Sequence, residues 1–211
     1  GYRQFNNIIA DLGYTIPYKS AFDRKLDLDT PSKADNQMGG VSVNADIKLG
    51  KGTLTSTSAW RFWKWVPLND RDYIGLPVFT ISSGNSVHDQ LSQELRYSGK
   101  ISEKLSGVVG VFGLWQDLKS DPVQTEEAGS AQWRFAQSST SELWKTPGLF
   151  DNFGIRTTNR IKSTSLAVFA QADWAISSKF HVLPGIRYNY DKKVVDYKRT
   201  AYGGLQTTYS A

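Results

Sequence analysis

The clearest pattern in the chain lies in residues 166–191, LAVFAQADWAISSKFHVLPGIRYNYD. Leu166, Val168, Ala170, Ala172 and Trp174 take alternate positions, with Ala167, Phe169, Gln171 and Asp173 between them. Phe180, Val182, Pro184, Ile186, Tyr188 and Tyr190 repeat the pattern, opposed by His181, Leu183, Gly185, Arg187, Asn189 and Asp191. Successive side chains of a strand point to opposite faces, so this period of two predicts two strands. Residues 176–179 between them are short enough for a hairpin turn.

Two more hairpins follow from the same pattern. Val41, Val43, Ala45, Ile47 and Leu49 alternate with Ser42, Asn44, Asp46 and Lys48; Gly50, Lys51 and Gly52 turn the chain, and residues 53–65 return. In the returning strand Leu54, Trp60 and Phe62 share one parity and Trp63 and Trp65 the other, so its face is ambiguous at the far end. In QLSQELRYSGK, Leu91, Leu95 and Tyr97 oppose Ser92, Glu94 and Arg96. Residues 99–104 predict a turn, and residues 105–116 a glycine-rich strand that is apolar on both parities and has no assignable face. Residues 1–36 show only a short strand at 5–10 and a turn at Asp29-Thr30-Pro31-Ser32, and residues 194–211 trail off past Gly203 and Gly204.

The connections have sides. Those at 50–52, 99–104 and 176–179 are short, those at 66–87 and 117–160 are long, and the two kinds alternate strictly. All short turns therefore fall at one end of the sheet and all long loops at the other, which is how transmembrane β-barrels are built. The expected fold is all-β: an antiparallel up-and-down transmembrane β-barrel, here only a partial barrel of about six to eight strands. In that frame Val41, Val43, Ile47, Val168, Trp174, Val182, Ile186 and Tyr188 face lipid. Asn44, Asp46, Gln171, Asp173, Arg187 and Asn189 face inward, with Val182 near the midplane. Trp60, Trp174, Tyr188 and Tyr190 are the candidates for the interfacial girdle.

Composition narrows the class. Aromatics are 13% of 211 residues, with 7 Trp and 10 Tyr, which favours strands. The net charge of +5 is scattered, without a basic run or helix, so nucleic acid is not an expected partner. With no cysteine, disulfides and thiolate metal sites are excluded. No apolar run reaches the roughly 20 residues of a membrane-spanning helix. A mean hydropathy of −0.42 still admits a barrel, because half of each tilted membrane strand faces a wet lumen. The chain opens at Gly1 without a signal peptide, and an upstream segment is expected to be missing.

QLSQELRYSGK followed by KLSGVVGVFGLWQD resembles paired strands of TonB-dependent outer-membrane receptors. SLAVFAQADWAISSKFHVLPGIRYNYDKK does so too, with GIRY at residues 185–188 following a hairpin, and GTLTSTSAWR is similar to a further strand of the siderophore-receptor subset. The resemblance covers residues 40–193 apart from the long loops. It implies uptake of a nutrient, such as a ferric siderophore, across the bacterial outer membrane. It also implies a 22-stranded barrel with an N-terminal plug, in contact with lipid and driven through the plug by the TonB complex. Plug, TonB-interacting segment and remaining strands have no match, so residues 1–211 are expected to be an internal part of one barrel domain.

Little in the sequence suggests bond chemistry. His88 and His181 are the available imidazoles and neither belongs to a metal-binding spacing; Glu126-Glu127 reads as a solvated loop pair. No enzyme activity, cofactor or resident metal is expected. Glu94, Arg96, Asp173, Arg187 and Asp191 share the inner-face parity and read as a wet polar wall. The long loop holds Trp133, Phe135, Trp144, Phe150 and Phe153 beside Arg134, Lys145 and Arg156. Aromatic faces with nearby cations suit an anionic chelate, which makes Trp133, Arg134, Phe135, Trp144 and Lys145 the candidate ligand-binding residues. Two other classes fit the composition. One is a soluble Trp-rich β-sandwich that binds carbohydrate. The other is a complete eight-stranded outer-membrane barrel using residues 5–10 and 201–209 as the extra pair.

Overall fold

Strand-length alternation bounded by short turns gives long antiparallel hairpins, and these dominate the computed structural model. It describes residues 10, 13–15, 17, 20–25, 27–128, 152–204 and 208–210. The strands are β1 (Lys33–Leu49), β2 (Gly52–Asn69), β3 (Phe79–Ser83), β4 (Ser86–Ser102), β5 (Leu105–Ala128), β6 (Gly154–Ser177), β7 (Phe180–Val182), β8 (Gly185–Tyr202) and β9 (Thr208–Ser210). All belong to one antiparallel sheet. β3 and β4 share one lane between β2 and β5, and β7 and β8 share the lane beside β6. The first lane is broken at Gly84 and Asn85, whose N–H groups still donate to the carbonyls of Pro67 (3.1 Å) and Pro122 (2.8 Å). The second is broken at Pro184, which has no N–H to give the ladder but accepts from Ala172 N–H at 2.9 Å.

Each lane pairs with its sequence neighbour. Residues 50–51, 103–104 and 178–179 turn the chain at one end, and the connections 70–78, 129–153 and 203–207 leave from the other. The segregation read from the sequence is present. The described strands lie in a single open sheet, with β1 at one edge and β9 at the other. Neither a two-sheet sandwich nor a closed eight-stranded barrel describes them.

The long connections are shorter than the sequence suggested. β2 runs to Asn69 and β3 starts at Phe79, so the loop expected at 66–87 shrinks to 70–78. β5 runs to Ala128 and β6 starts at Gly154, cutting back the one expected at 117–160. β1 starts at Lys33, inside a segment without alternation, and β4 passes through Gly99 to Ser102. Backbone pairing holds these extensions together. With no lipid on either side, they have no reason to alternate in polarity.

The register fixes the faces. Directly opposed residues share a face, so Ile47, Leu54, Tyr97, Val109, Ala170 and Ile186 form one outward row. Ala45, Ser56, Leu95, Val111, Val168 and Tyr188 form the next, which also settles β5: Val109, Val111 and Trp115 point outward, Val108, Phe112 and Leu114 inward. Gln93 is the long polar side chain in this belt, and it is satisfied there. Its Nε2 donates to Ser56 Oγ at 3.0 Å and its Oε1 accepts from Ser58 Oγ. A lipid-facing amide without such partners would be costly, because lipid offers none.

The belt crosses the register obliquely. Going outward from the short turns, the first outward-facing charges are Lys64 on β2, Asp89 on β4, Asp117 on β5, Lys162 on β6 and Lys192 on β8. Asp89, Asp117 and Lys162 share one row; Lys64 lies two residues beyond it and Lys192 two short of it. A four-residue climb across four lane spacings gives a strand tilt of roughly 35°, the value a barrel wall requires. Trp60, Trp115 and Tyr190 sit at the long-loop edge of the belt, and Trp174 at the other. Tyr188 lies one step deeper than Tyr190. Val182 is not at the midplane, since it pairs with Trp174 beside the turn.

The inner face is a hydrogen-bonded polar wall with one aromatic cluster. The Arg187 guanidinium lies 5.7 Å from the Phe112 ring centre and 5.6 Å from that of Phe169. Phe169 is opposite Gly110, where a Cβ would sit 2.4 Å from the ring, so only glycine lets the ring lie flat on the sheet. His181 Nδ1 meets Asp173 Oδ1 at 2.6 Å beside the turn.

At the other end the 70–78 loop makes its own small core from Ile74, Leu76 and Val78, packed against Tyr14 and Phe79. Tyr14 Oη donates to Asp27 at 2.5 Å and accepts from Gly75 N–H at 3.0 Å. Asp72 accepts from the N–H groups of Ile74 (3.1 Å) and Phe79 (2.7 Å). Burial, and after it the charge of Asp70, pushes the Asp72 carboxyl up to about 6. Burial raises Asp29 as well, with help from Asp70 and Asp27. A raised folded-state pKa gives stability that is present below the unfolded value and lost as pH rises through the folded one. The loop should therefore be tightest below about pH 4 and loosen through about pH 6, by about 1 kcal/mol or less because the group is half-exposed. Amide exchange of Ile74 and Phe79, corrected for intrinsic rates, is the measurement. A profile as flat in the parent as in Asp72→Asn would refute it.

Candidate ligand-contacting surface

The inner wall changes character toward the long connections. On β2, Trp63 and Trp65 have the parity opposite to Trp60 and Phe62. The register puts the first pair inward and the second outward. The inward rings are stacked, with centroids 6.1 Å apart and planes 13° apart. Asn36 on β1 holds the stack, its Oδ1 accepting from Trp63 Nε1 at 2.7 Å. Trp60 and Phe62 form a separate outward stack with centroids 5.3 Å apart.

The row through Trp63 continues as Met38, His88, Leu118, Ile161 and Val195, and the row through Trp65 as Asn36, Ser86, Ser120, Asn159 and Tyr197. The Ser86 and Ser120 hydroxyls share a buried hydrogen bond of 2.9 Å. Asn159 Oδ1 is buried and has no donor among the described residues. The first row is largely apolar and the second sets Trp65 and Tyr197 among Asn and Ser, and both lie on the wet face at and beyond the long-loop edge of the lipid belt. Such a surface can stack a planar or apolar ligand and offer it an amide oxygen. It has no nucleophile–base pair. Among the described residues, no group of three or more His, Asp or Glu could hold a metal ion.

Trp133, Arg134, Phe135, Trp144 and Lys145 lie outside the described residues. Arg156 faces outward and is paired with Asp121 at 2.8 Å. His88 joins the Trp63 row, whereas His181 is at the opposite end. Trp63 and Trp65 were visible as a parity break, but nothing local in the sequence says which parity faces the lumen. The pairing of β2 with β1 and β4 decides it.

A family model described as "TonB dependent receptor-like, beta-barrel" matches residues 1–211. The chain belongs to this family of TonB-dependent receptor barrels. No curated protein matches its sequence. Among solved structures it is similar to the ferric yersiniabactin uptake receptor FyuA from Yersinia pestis, with a TM-score of 0.63 and 15% identity. That match covers 89% of this chain and 25% of the receptor, so the chain spans about a quarter of the length of its structural relative. At that identity the likeness shows the fold, a stretch of barrel wall. The strand order, the lipid belt and the wet inner face of this TonB-dependent receptor barrel segment agree with it.

Proposed function

We propose that this chain is part of the barrel of an outer-membrane receptor that takes up a nutrient with energy from the TonB complex, and that the nutrient is a ferric siderophore complex. Residues 1–211 then belong to one barrel domain, which further strands close and a plug domain fills. The reading rests on the two unlike faces of the sheet, a lipid belt outside and a polar wall inside that ends in the Trp63–Trp65 stack. Family membership supports the transport class. The substrate class draws support from a structural relative that is a ferric yersiniabactin uptake receptor, and from aromatic surface on the wet face. No bond chemistry is assigned to the chain.

In this reading ligand contact comes from two places, the inward stack and the loop residues Trp133, Arg134, Phe135, Trp144 and Lys145. Each aromatic contact is worth roughly 0.5–2 kcal/mol. Replacing both Trp63 and Trp65 by Ala, or both Trp133 and Trp144 by Ala, should weaken binding several-fold. The assay is uptake and equilibrium binding of a labelled ferric siderophore by whole cells that carry the intact receptor, at matched surface expression. Uptake independent of the TonB complex would end the transport reading. Undiminished affinity in one double variant would remove that surface from the site.

A further inference from the structure

The wet face carries a recess at the end opposite the Trp63–Trp65 stack, beside the short turns. Its volume is about 680 Å³, the size of a small-molecule site. Three lysines line it. Lys48 on β1 and Lys100 on β4 have the inward parity, and Lys51 belongs to the turn between β1 and β2. The register carries the row of Lys48 across Thr53 to Ser98, and Lys100 stands two residues past Ser98 on the same face. Two lane spacings are about 10 Å, so the two lysine arms can bracket one multiply charged ligand.

The neighbours leave the recess cationic. Among the described residues one carboxylate lines it, that of Asp173, which meets His181 Nδ1 at 2.6 Å. Asp46 lies one row farther from the turns and accepts from the Thr55 hydroxyl at 2.6 Å. Lys48 Nζ donates to Thr53 Oγ1 at 3.0 Å. None of the three lysines is in an ion pair among the described residues. Ser98, Ser106 and Gln171 add hydroxyl and amide groups, and no aromatic ring among the described residues lines the recess.

We propose that this recess is a weak exit site for an anionic iron chelate, the last part of the wall that the chelate touches before the periplasm. The proposal rests on the receptor reading above. Position and chemistry carry it together. A ligand released from the stack has this same wet face to follow, and the face ends at the turn that holds Lys51. The two ends of the wall differ in kind. Stacked rings hold a ligand by close contact, whereas ammonium groups at an open mouth attract an anion over a distance that salt screens. Passage needs such a second site, strong enough to collect the ligand and weak enough to let it go.

The test uses the full receptor, purified in neutral detergent so that both mouths of the barrel meet the solution. Radiolabelled ferric citrate is the anionic probe, ferrioxamine B the cationic comparison and inorganic phosphate the competitor, with equilibrium dialysis as the readout. Lys48→Gln, Lys51→Gln and Lys100→Gln together should weaken ferric citrate binding roughly tenfold and flatten its dependence on salt. Ferrioxamine B binding should not change. The outward set Lys119→Gln, Lys162→Gln and Lys192→Gln makes the same charge change and should leave both probes alone. In whole cells the inner-face triple variant should keep its surface affinity for the labelled ferric siderophore while its saturated uptake rate falls several-fold. Heat-modifiable gel migration reports folding. Should the triple variant misfold, Lys100→Gln alone, expected to lose about threefold, carries the test. Equal ferric citrate binding in parent and variant overturns the site, as does an equal loss in the outward set or for ferrioxamine B. Absence of salt-sensitive binding in the parent also overturns it, because another part of the receptor then fills the recess. Full displacement by equimolar phosphate would make it a general anion site and end the chelate assignment. Lost binding with an unchanged uptake rate ends the exit role. A parent that takes up no iron sinks the receptor reading, whereas normal parent uptake with unchanged binding in the variant sinks only this one.

Discussion

Val168→Arg should lower the stability of the intact barrel by about 2–4 kcal/mol, while Val182→Arg and Asn189→Lys should each cost about 1 kcal/mol or less. Val168 is 53% exposed on the outward face and pairs with Val111 and Tyr188, inside the run that ends at Trp174 on one side and Lys162 on the other. A guanidinium there has hydrocarbon around it, no partner in its row and several ångströms of side chain to extend before reaching water. Val182 has the same polarity and the same face but sits beside the turn, so its arginine can reach the headgroups. Asn189 is opposite Ala167 and next to Arg187, whose Nε donates to its Oδ1 at 2.8 Å. A lysine there loses that bond and gains a wet lumen. Urea refolding into vesicles, at matched lipid composition, measures all three. Similar costs at Val168 and Val182 would mean that the belt does not follow the oblique edge described above.

The contrast between those two valines shows what the sequence could and could not tell. Alternation identified the faces of β1, β6 and β8, because lipid on one side and water on the other impose opposite requirements on neighbouring residues. It did not give depth. Depth depends on how far each strand slides past the next, and only the register reveals that. β5 was illegible for another reason: its inward positions hold Val108, Phe112 and Leu114, apolar residues on the inner wall, where Phe112 lies under the Arg187 guanidinium, and they look like lipid-facing residues. The strand extensions at 33–40, 66–69 and 117–128 were missed because water on both faces leaves no polarity signal. The Trp63–Trp65 surface lies just before one such stretch, at the far end of β2, where two aromatic residues of the inward parity sit next to Trp60 and Phe62 of the outward one.

Asp70→Ala should undo the 70–78 loop without touching the barrel, at a local cost of about 2–4 kcal/mol. Asp70 is 0% exposed, and its carboxylate works in two directions. Oδ1 accepts from the N–H groups of Asp72 (3.1 Å) and Tyr73 (3.2 Å), closing the turn that holds Tyr73 at a φ of 59°. Oδ2 accepts from Asp29 N–H at 2.9 Å, tying the loop to the segment before β1. Alanine leaves three donors without a partner and removes what offsets the left-handed strain at Tyr73, so exchange of the Asp72 and Tyr73 amides should accelerate roughly a hundredfold. Asp70→Asn separates the two roles. Its Oδ1 still closes the turn, but its NH2 group now confronts the N–H of Asp29, donor against donor. That variant should keep the Asp72 and Tyr73 amides protected and lose protection at Asp29 alone. The strand amides of β2 and β4 are the internal standard and should not change. If both variants expose all three amides equally, Asp70 supports the loop as a single buried charge and the division between its two oxygens is wrong.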